Sequence, residues 1–169
     1  MSHERSAALR EPEEAICELL RLRLIATLGT TSNDGSILLT PIWYLYERGR
    51  LYLPTGSRSR KVRNVVARPD VTVLVDQRHG ERHRWASAEG TAALLHGPDA
   101  KAVNDRVRAR YLTAAGEATY GQLVDAFDDV TIVVTPRRWR YWTPGALERL
   151  AEEHGRSPGD IGDWFHPLD

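Results

Sequence analysis

The chain has 169 residues, 41% of them hydrophobic and 27% charged, which suits one domain built round one core. Lys plus Arg and Asp plus Glu each total 23, so nothing draws the whole molecule to nucleic acid or an anionic membrane, and any anion site has to be local. The lone Cys17 excludes an internal disulfide framework, and no apolar run approaches the ~20 residues of a membrane span, so a cytoplasmic protein is expected.

Residues 1–11 are polar. From 12 to 22, Ala15, Ile16, Leu19 and Leu20 recur at helical spacing behind Pro12 and acidic residues, which suits a helix start. Cys17 on that helix reads as apolar filler. A strand over 23–30 follows, then Asn33-Asp34-Gly35, a hairpin turn signal, and a returning strand over 36–46. The returning strand is apolar on both faces: Leu38, Thr40, Ile42 and Tyr44 alternate with Ile37, Leu39, Pro41 and Trp43. Pro41 removes a ladder donor, so a bulge or local edge is expected there. After the turn at 47–50 comes a strand over 51–55, making three hairpin-linked strands and a predicted meander. A helix over 59–67, a β-branched strand over 71–76, a charged loop and a strand over 85–95 complete the first half of the fold. Helices over 98–114 and 120–127, closing strands over 130–135 and 138–142, a helix over 144–153 and a tail with Trp164 and Phe165 make up the rest.

The run Gly56-Ser57-Arg58-Ser59-Arg60-Lys61-Val62-Arg63-Asn64 stands out. It crowds cations where a strand hands over to a helix, although the helix macrodipole makes that end partly positive. One reading is a solvated basic helix. The other is an anion cradle, with free backbone N–H groups, Ser57 or Ser59 as cap, and Arg60, Lys61 and Asn64 turned to a phosphate. Val62, Val65 and Val66 would face the core. No standard phosphate-loop fingerprint is present. His79 and His83 have a spacing that suits a metal only on a helix, and they fall in a loop without further ligands, so no metal is expected. No nucleophile elbow supports hydrolase chemistry.

Order and spacing add context. Thr40-Pro41-Ile42-Trp43-Tyr44, Gly49-Arg50-Leu51-Tyr52-Leu53, Thr55, Ser57, Arg60-Lys61-Val62-Arg63-Asn64, Pro69-Asp70-Val71 and Glu89-Gly90-Thr91 lead to a closing strand with Arg140, Tyr141 and Trp142. This pattern, over 22–142, resembles the pyridoxamine 5'-phosphate oxidase-like superfamily of flavin-binding split β-barrels, and looks most like its branch using the deazaflavin coenzyme F420. The resemblance implies a mainly β, antiparallel six-stranded split barrel with flanking helices. It implies a single domain over 1–169, with the core fold over about 12–142 and a C-terminal helix and tail over 143–169. It further implies a homodimer with cofactor at the subunit interface. The phosphate would lie at Thr55, Ser57, Arg60 and Lys61, with Asn64 in reach. Thr40, Pro41 and Trp43 would lie along the ring system, and Arg140 and Trp142 would come from the closing strand. The outer face of 36–46 would then cover the dimer partner.

One departure narrows the expectation. Pyridoxamine phosphate oxidases carry a basic Arg-x-x-x-x-Lys on the second strand, and here Ile37-Leu38-Leu39-Thr40-Pro41-Ile42 carries no charge. The implied activity is therefore hydride transfer between F420 and a small organic acceptor, and no catalytic side chain is named because the cofactor carries the chemistry. FMN held by the same phosphate site is the alternative cofactor, and a non-catalytic cofactor-binding protein is a third reading. Arg58 and Arg63 favour F420, whose tail is polyanionic. Residues 100–126 exceed the smallest members' length and would shape a substrate pocket or cover an opening.

Overall fold

The structure, a computed structural model, describes residues 14–78, 83–124, 129–143 and 145–157. His79, Phe127 at the end of the predicted 120–127 helix, and the tail with Trp164 and Phe165 lie outside the described residues. The elements in chain order are α1 (Glu14–Arg21), β1 (Ala26–Thr31), β2 (Ile37–Ile42), β3 (Leu45–Glu47), β4 (Arg50–Gly56) and α2 (Arg60–Ala67). They continue as β5 (Asp70–Gln77), β6 (Arg84–Leu95), α3 (Gly97–Tyr111), α4 (Ala114–Val124), β7 (Asp129–Trp142) and α5 (Gly145–Glu153). No helix among the described residues is long and apolar enough to cross a membrane.

All strands join one antiparallel sheet in the order β2-β1-β5-β6-β7-β4-β3. That order forces the shape. β2 and β3 lie on opposite edges of seven strands, yet only Trp43 and Tyr44 separate them in the chain. The three residue steps from Ile42 to Leu45 span at most about 11 Å, so the edges must be brought together and the sheet must curl. The result is a split barrel, as expected, but with seven strand segments instead of six. The extra one arises because the predicted strand over 36–46 breaks at Trp43-Tyr44. Its first half pairs with β1 (Ile42 opposite Ala26) and its second half with β4 (Leu45 opposite Tyr52). Both predicted hairpin links are therefore present, but they fall on separate halves of that strand, so β1 and β4 do not flank it as one flat meander.

Local chemistry sets the hairpins. In the turn before β2, Asp34 Oδ1 accepts from the Ser36 N–H (3.0 Å) and hydroxyl (2.6 Å), while Gly35 takes a φ of +84°. Arg48 and Gly49 both have positive φ, the condition for a two-residue hairpin matched to strand twist. The two predicted closing strands are one, β7, with an irregularity where Gly90 faces Pro136. Pro136 cannot donate to the ladder. A Cβ on Gly90 would lie 2.3 Å from the Thr135 carbonyl oxygen, so the backbones approach there as only glycine permits.

Inward-facing Leu28, Leu51, Leu53, Val73, Ile132 and Val134 fill the barrel, and Ile16, Leu19 and Leu20 of α1 join the same core. From α2, Val62 and Val65 do so as well, but Val66 is 70% exposed, because it lies on the far side of the helix. Cys17 is half-buried, beside the core instead of in it. Between β6 and β7 the chain makes an excursion that carries α3 and α4, and Leu95 pairs with Thr131 across its base.

Three side chains lock the strand break. Tyr44 is fully buried, and its hydroxyl donates to the Leu22 carbonyl (2.9 Å), with the Leu20 carbonyl 3.2 Å away at the end of α1. Tyr111 of α3 donates to the Leu24 carbonyl (2.6 Å) and accepts from the Tyr44 N–H (3.3 Å). Arg110 caps the same helix end through the carbonyls of Arg21 (2.9 Å) and Leu22, and its guanidinium lies 5.6 Å from the Tyr44 ring centroid. Burial raises the pKa of both phenols, so they stay neutral donors. Tyr44→Phe is expected to lower stability by about 1–2 kcal/mol, read as a shifted urea midpoint with an unchanged slope. An unshifted midpoint would mean that the hydroxyl does not hold the break.

Candidate functional site

The site begins where β4 ends. The chain turns through Ser57 and Ser59, whose N–H bonds the Gly56 carbonyl at 3.0 Å, and enters α2. Ser59 is the N-cap, but its side chain makes no cap hydrogen bond, and the first helical turn holds no acidic residue. Its Oγ lies instead 3.4 Å from Thr55 Oγ1. Lys61 Nζ donates to that same Thr55 oxygen at 3.0 Å. Among the described residues, no carboxylate pairs with Arg58, Arg60, Lys61 or Arg63. Lys61 is half-buried, and dehydration lowers its pKa from the ordinary lysine value. A partly dry ammonium with one hydroxyl for company is a site short of an anion.

Arg60 and Asn64 point elsewhere. Arg60 Nη2 donates to Ser32 Oγ (3.0 Å), and the buried Asn64 donates to Thr30 Oγ1 (3.0 Å) and Ser32 Oγ (3.3 Å). They fasten α2 to the end of β1. Arg63 donates to the Arg58 carbonyl (3.1 Å) on the exposed face of the turn.

Thr55, Gly56 and Lys61 open onto a cleft of about 850 Å³. Pro41 and Trp43 form a second wall, at the strand break. Because Tyr44 is drawn into the core, alternation turns Trp43 the other way. Its ring stacks on Tyr111 (centroids 5.1 Å apart, planes within 2°) and leans on Tyr120 of α4 (5.8 Å, 47°). The excursion supplies the third wall, with Asn104 and Arg108 from α3 and Tyr120 from α4; Asp129 lies at the start of β7. Both α3 residues are buried, Asn104 to 4% exposure and Arg108 to 8%. Arg108 is held by Asp105 (2.5 Å) and Glu117 (3.2 Å).

Of the predicted site residues, the structure thus gathers Pro41, Trp43, Thr55 and Lys61 round one cleft. Ser57 sits in the turn at its edge. Thr40, opposite Leu28, shares the inward face of β2 with buried Ile42. Arg140 and Trp142 lie on the outer face of the sheet. There Arg140 Nε donates to Glu89 (2.9 Å) and lines a shallower concavity of about 440 Å³ with Leu39, Leu74 and Trp85. Trp142, opposite Trp85, leans on His83 at 5.5 Å. Ile37 and Leu39, each 65% exposed, extend this apolar outer face.

Sequence reading missed Asn104, Arg108 and Tyr120. A signal existed for the first two: with Ala100, Val103 and Val107 they complete the buried stripe of α3, so polar residues occupy core positions. Buried polar groups need a reason.

The chain matches the model of the pyridoxamine 5'-phosphate oxidase family over residues 12–143. Among solved structures it is similar to a conserved hypothetical protein of Mycobacterium tuberculosis, at 28% identity and TM-score 0.65, over 78% of this chain and 84% of that one. It is also similar to an F420 reductase, at 25% identity and TM-score 0.58, over 73% of this chain and 94% of that one. A putative pyridoxamine 5'-phosphate oxidase from Listeria innocua shares the fold at 18% identity and TM-score 0.60, over 78% of this chain and 98% of that one. No curated protein sequence matches it significantly.

The Lys61 environment predicts a split between stability and binding. Below its lowered pKa the folded protein carries the penalty of a dehydrated ammonium; above the ordinary lysine value neither folded nor unfolded chain is charged there, and the penalty disappears. Lys61→Met should therefore melt at or above the parent temperature at pH 7, with the difference shrinking as pH rises toward the ordinary lysine range. A clearly lower melting temperature at pH 7 would show that the Thr55 hydrogen bond outweighs dehydration.

Proposed function

The chain belongs to the pyridoxamine 5'-phosphate oxidase family, and from that premise we propose that its cleft holds the deazaflavin coenzyme F420 and serves hydride transfer to a small organic acceptor. The observation that carries this reading is Lys61, half-buried beside Thr55 at the start of α2, with no carboxylate partner among the described residues. The residues fit a phosphate-bearing, flat-ringed cofactor. Thr55, Lys61 and the free N–H groups of α2 would take the phosphate. Pro41 and Trp43 would bound the ring system. Bound F420 supplies the hydride chemistry. The protein's part is to hold, orient and exclude water, which the aromatic packing of Trp43 on Tyr111 and Tyr120 serves.

Two further features support the deazaflavin. The relative described as an F420 reductase spans most of the barrel, and Arg58 and Arg63 offer exposed cations beside the phosphate end for a polyanionic tail. We assign the apolar outer face of Ile37 and Leu39 to a homodimer, in which Arg140 and Trp142 would serve the neighbouring copy's cleft. FMN is the second reading, favoured by one observation: among the described residues, Lys61 and not Arg58, Arg60 or Arg63 lines the cleft beside Thr55, which is enough for a single phosphate. A non-catalytic carrier of either cofactor is the third.

Titrating the protein with F420 and with FMN, followed by fluorescence, separates these readings. F420 is expected to bind more tightly, and Lys61→Ala to weaken it by about 1.5–3 kcal/mol, the range for hydrogen bonds to charged groups. Tight FMN binding with no response to F420 would remove the primary reading. Binding without turnover of quinone or enone acceptors by reduced F420 would leave the carrier.

A further inference from the structure

Lysine is rare in this chain: of 23 Lys and Arg residues, only Lys61 and Lys101 are lysines. The two stand in opposite settings. Lys101 lies on the open face of α3, its side chain 62% exposed and its ammonium paired with Asp105 at 3.0 Å. Lys61 is half-buried, lines the cleft, and pairs with no carboxylate among the described residues. Were a positive charge the whole requirement, arginine would serve better, since its planar fork stays charged and grips an anion through two N–H groups. What lysine adds is an amine that can give up its proton and attack as a nucleophile.

The surroundings make the neutral amine easier to reach. Nζ donates to Thr55 Oγ1 at 3.0 Å, a contact that positions it without supplying a countercharge. Burial lowers its pKa from the ordinary lysine value. Arg60 and Arg63, on its own helix, turn to Ser32 and to the Arg58 carbonyl. Across the cleft Arg108 is held by Asp105 and Glu117, and Asp129 stands opposite Gly56. The same cleft offers Trp43, Tyr120, Pro41 and Ile42 as walls for a flat apolar body. We propose that Lys61 is a carbonyl-reactive amine, and that the cleft captures flat aromatic aldehydes covalently, as reversible imines.

The step balances without a further reactant. The Nζ lone pair adds to the aldehyde carbon, the C=O π pair moves to oxygen, and a proton passes from nitrogen to that oxygen. Loss of that oxygen as water leaves the C=N bond. Nothing is oxidised or reduced, and hydrolysis returns both partners. The imine takes the nitrogen to which the cofactor reading gives a phosphate, so aldehyde and cofactor exclude one another. The amine chemistry goes beyond that reading and does not depend on which cofactor binds.

The test uses the full chain without substitution, so no variant has to fold. The protein is incubated with 2-naphthaldehyde, the imine is trapped at timed intervals with borohydride, and the label on each lysine is read by peptide mass mapping. Lys101 is the control within the same molecule. Lys61 is expected to be labelled at least about fivefold faster at pH 7, because the cleft holds the aldehyde beside the amine. Equal labelling, or faster labelling of Lys101, would overturn the proposal. Its rate should also rise with pH below the range of Nα-acetyl-lysine amide, and coincident profiles would count against it. Propanal, which lacks the flat body, should show a smaller preference for Lys61; an equal preference would remove the aromatic class. F420 or FMN added first is expected to shield Lys61 and leave Lys101 unaffected. Selective labelling without shielding keeps the amine site and overturns the placing of the cofactor phosphate at Lys61, whereas shielding without selectivity overturns the amine site alone.

Discussion

Two residues hold this barrel shut. With β2 and β3 on opposite edges of the sheet, everything depends on the chain turning from one edge to the other at Trp43 and Tyr44. A break in a strand exposes backbone groups that the ladder no longer satisfies. Here the Tyr44 N–H finds Tyr111, the Tyr44 hydroxyl finds the end of α1, and Arg110 covers the carbonyls left over. The same break creates the site. Once Tyr44 is committed to the core, its neighbour must face outward, and the ring that walls the cleft is placed by the need to close the sheet.

Polarity within the cleft follows from which elements reach it. The β4–α2 side brings Lys61, which pairs with no described carboxylate although Asp129 stands opposite Gly56 nearby; the α3 side brings Arg108, already held by two acids. A ligand with a charged end and a neutral end is oriented by that difference before any specific contact forms. The neutral formal charge of the whole chain gives no sign of such local differences.

Much of the fold was legible because its signals are local. Asn33-Asp34-Gly35 and Arg48-Gly49 carry their turn geometry in their own residues, and alternation in Val71-Thr72-Val73-Leu74-Val75 marks a strand wherever it lies. The break after Ile42 was not legible. Ser36 to Tyr46 reads as one strand, and only the distant Tyr111 and Arg110 make two of it. The cleft divides likewise. Lys61 stood out in the cationic run at a helix start and Thr55 came with the resemblance, whereas Arg60 and Asn64, equally suggestive in sequence, are drawn to Ser32 by a packing that spacing cannot show. Val66 failed for a simpler reason: an eight-residue helix on a barrel buries a narrow stripe, and the position after Val65 falls off it.

The excursion between β6 and β7 has the form of a detachable module. Leu95 and Thr131 are already paired across its base, so the sheet would keep its register if the excursion were replaced by a short turn. Modules of that kind let a lineage change what a cleft binds while leaving the scaffold alone. In this chain the exchange is not free, because Arg110 and Tyr111, which secure the strand break, ride on the same helix as Asn104 and Arg108. Selection on what the cleft accepts therefore acts on a segment that also keeps the barrel folded. Any transplant of α3 between relatives has to carry its last turn along, or supply another fastening for Tyr44.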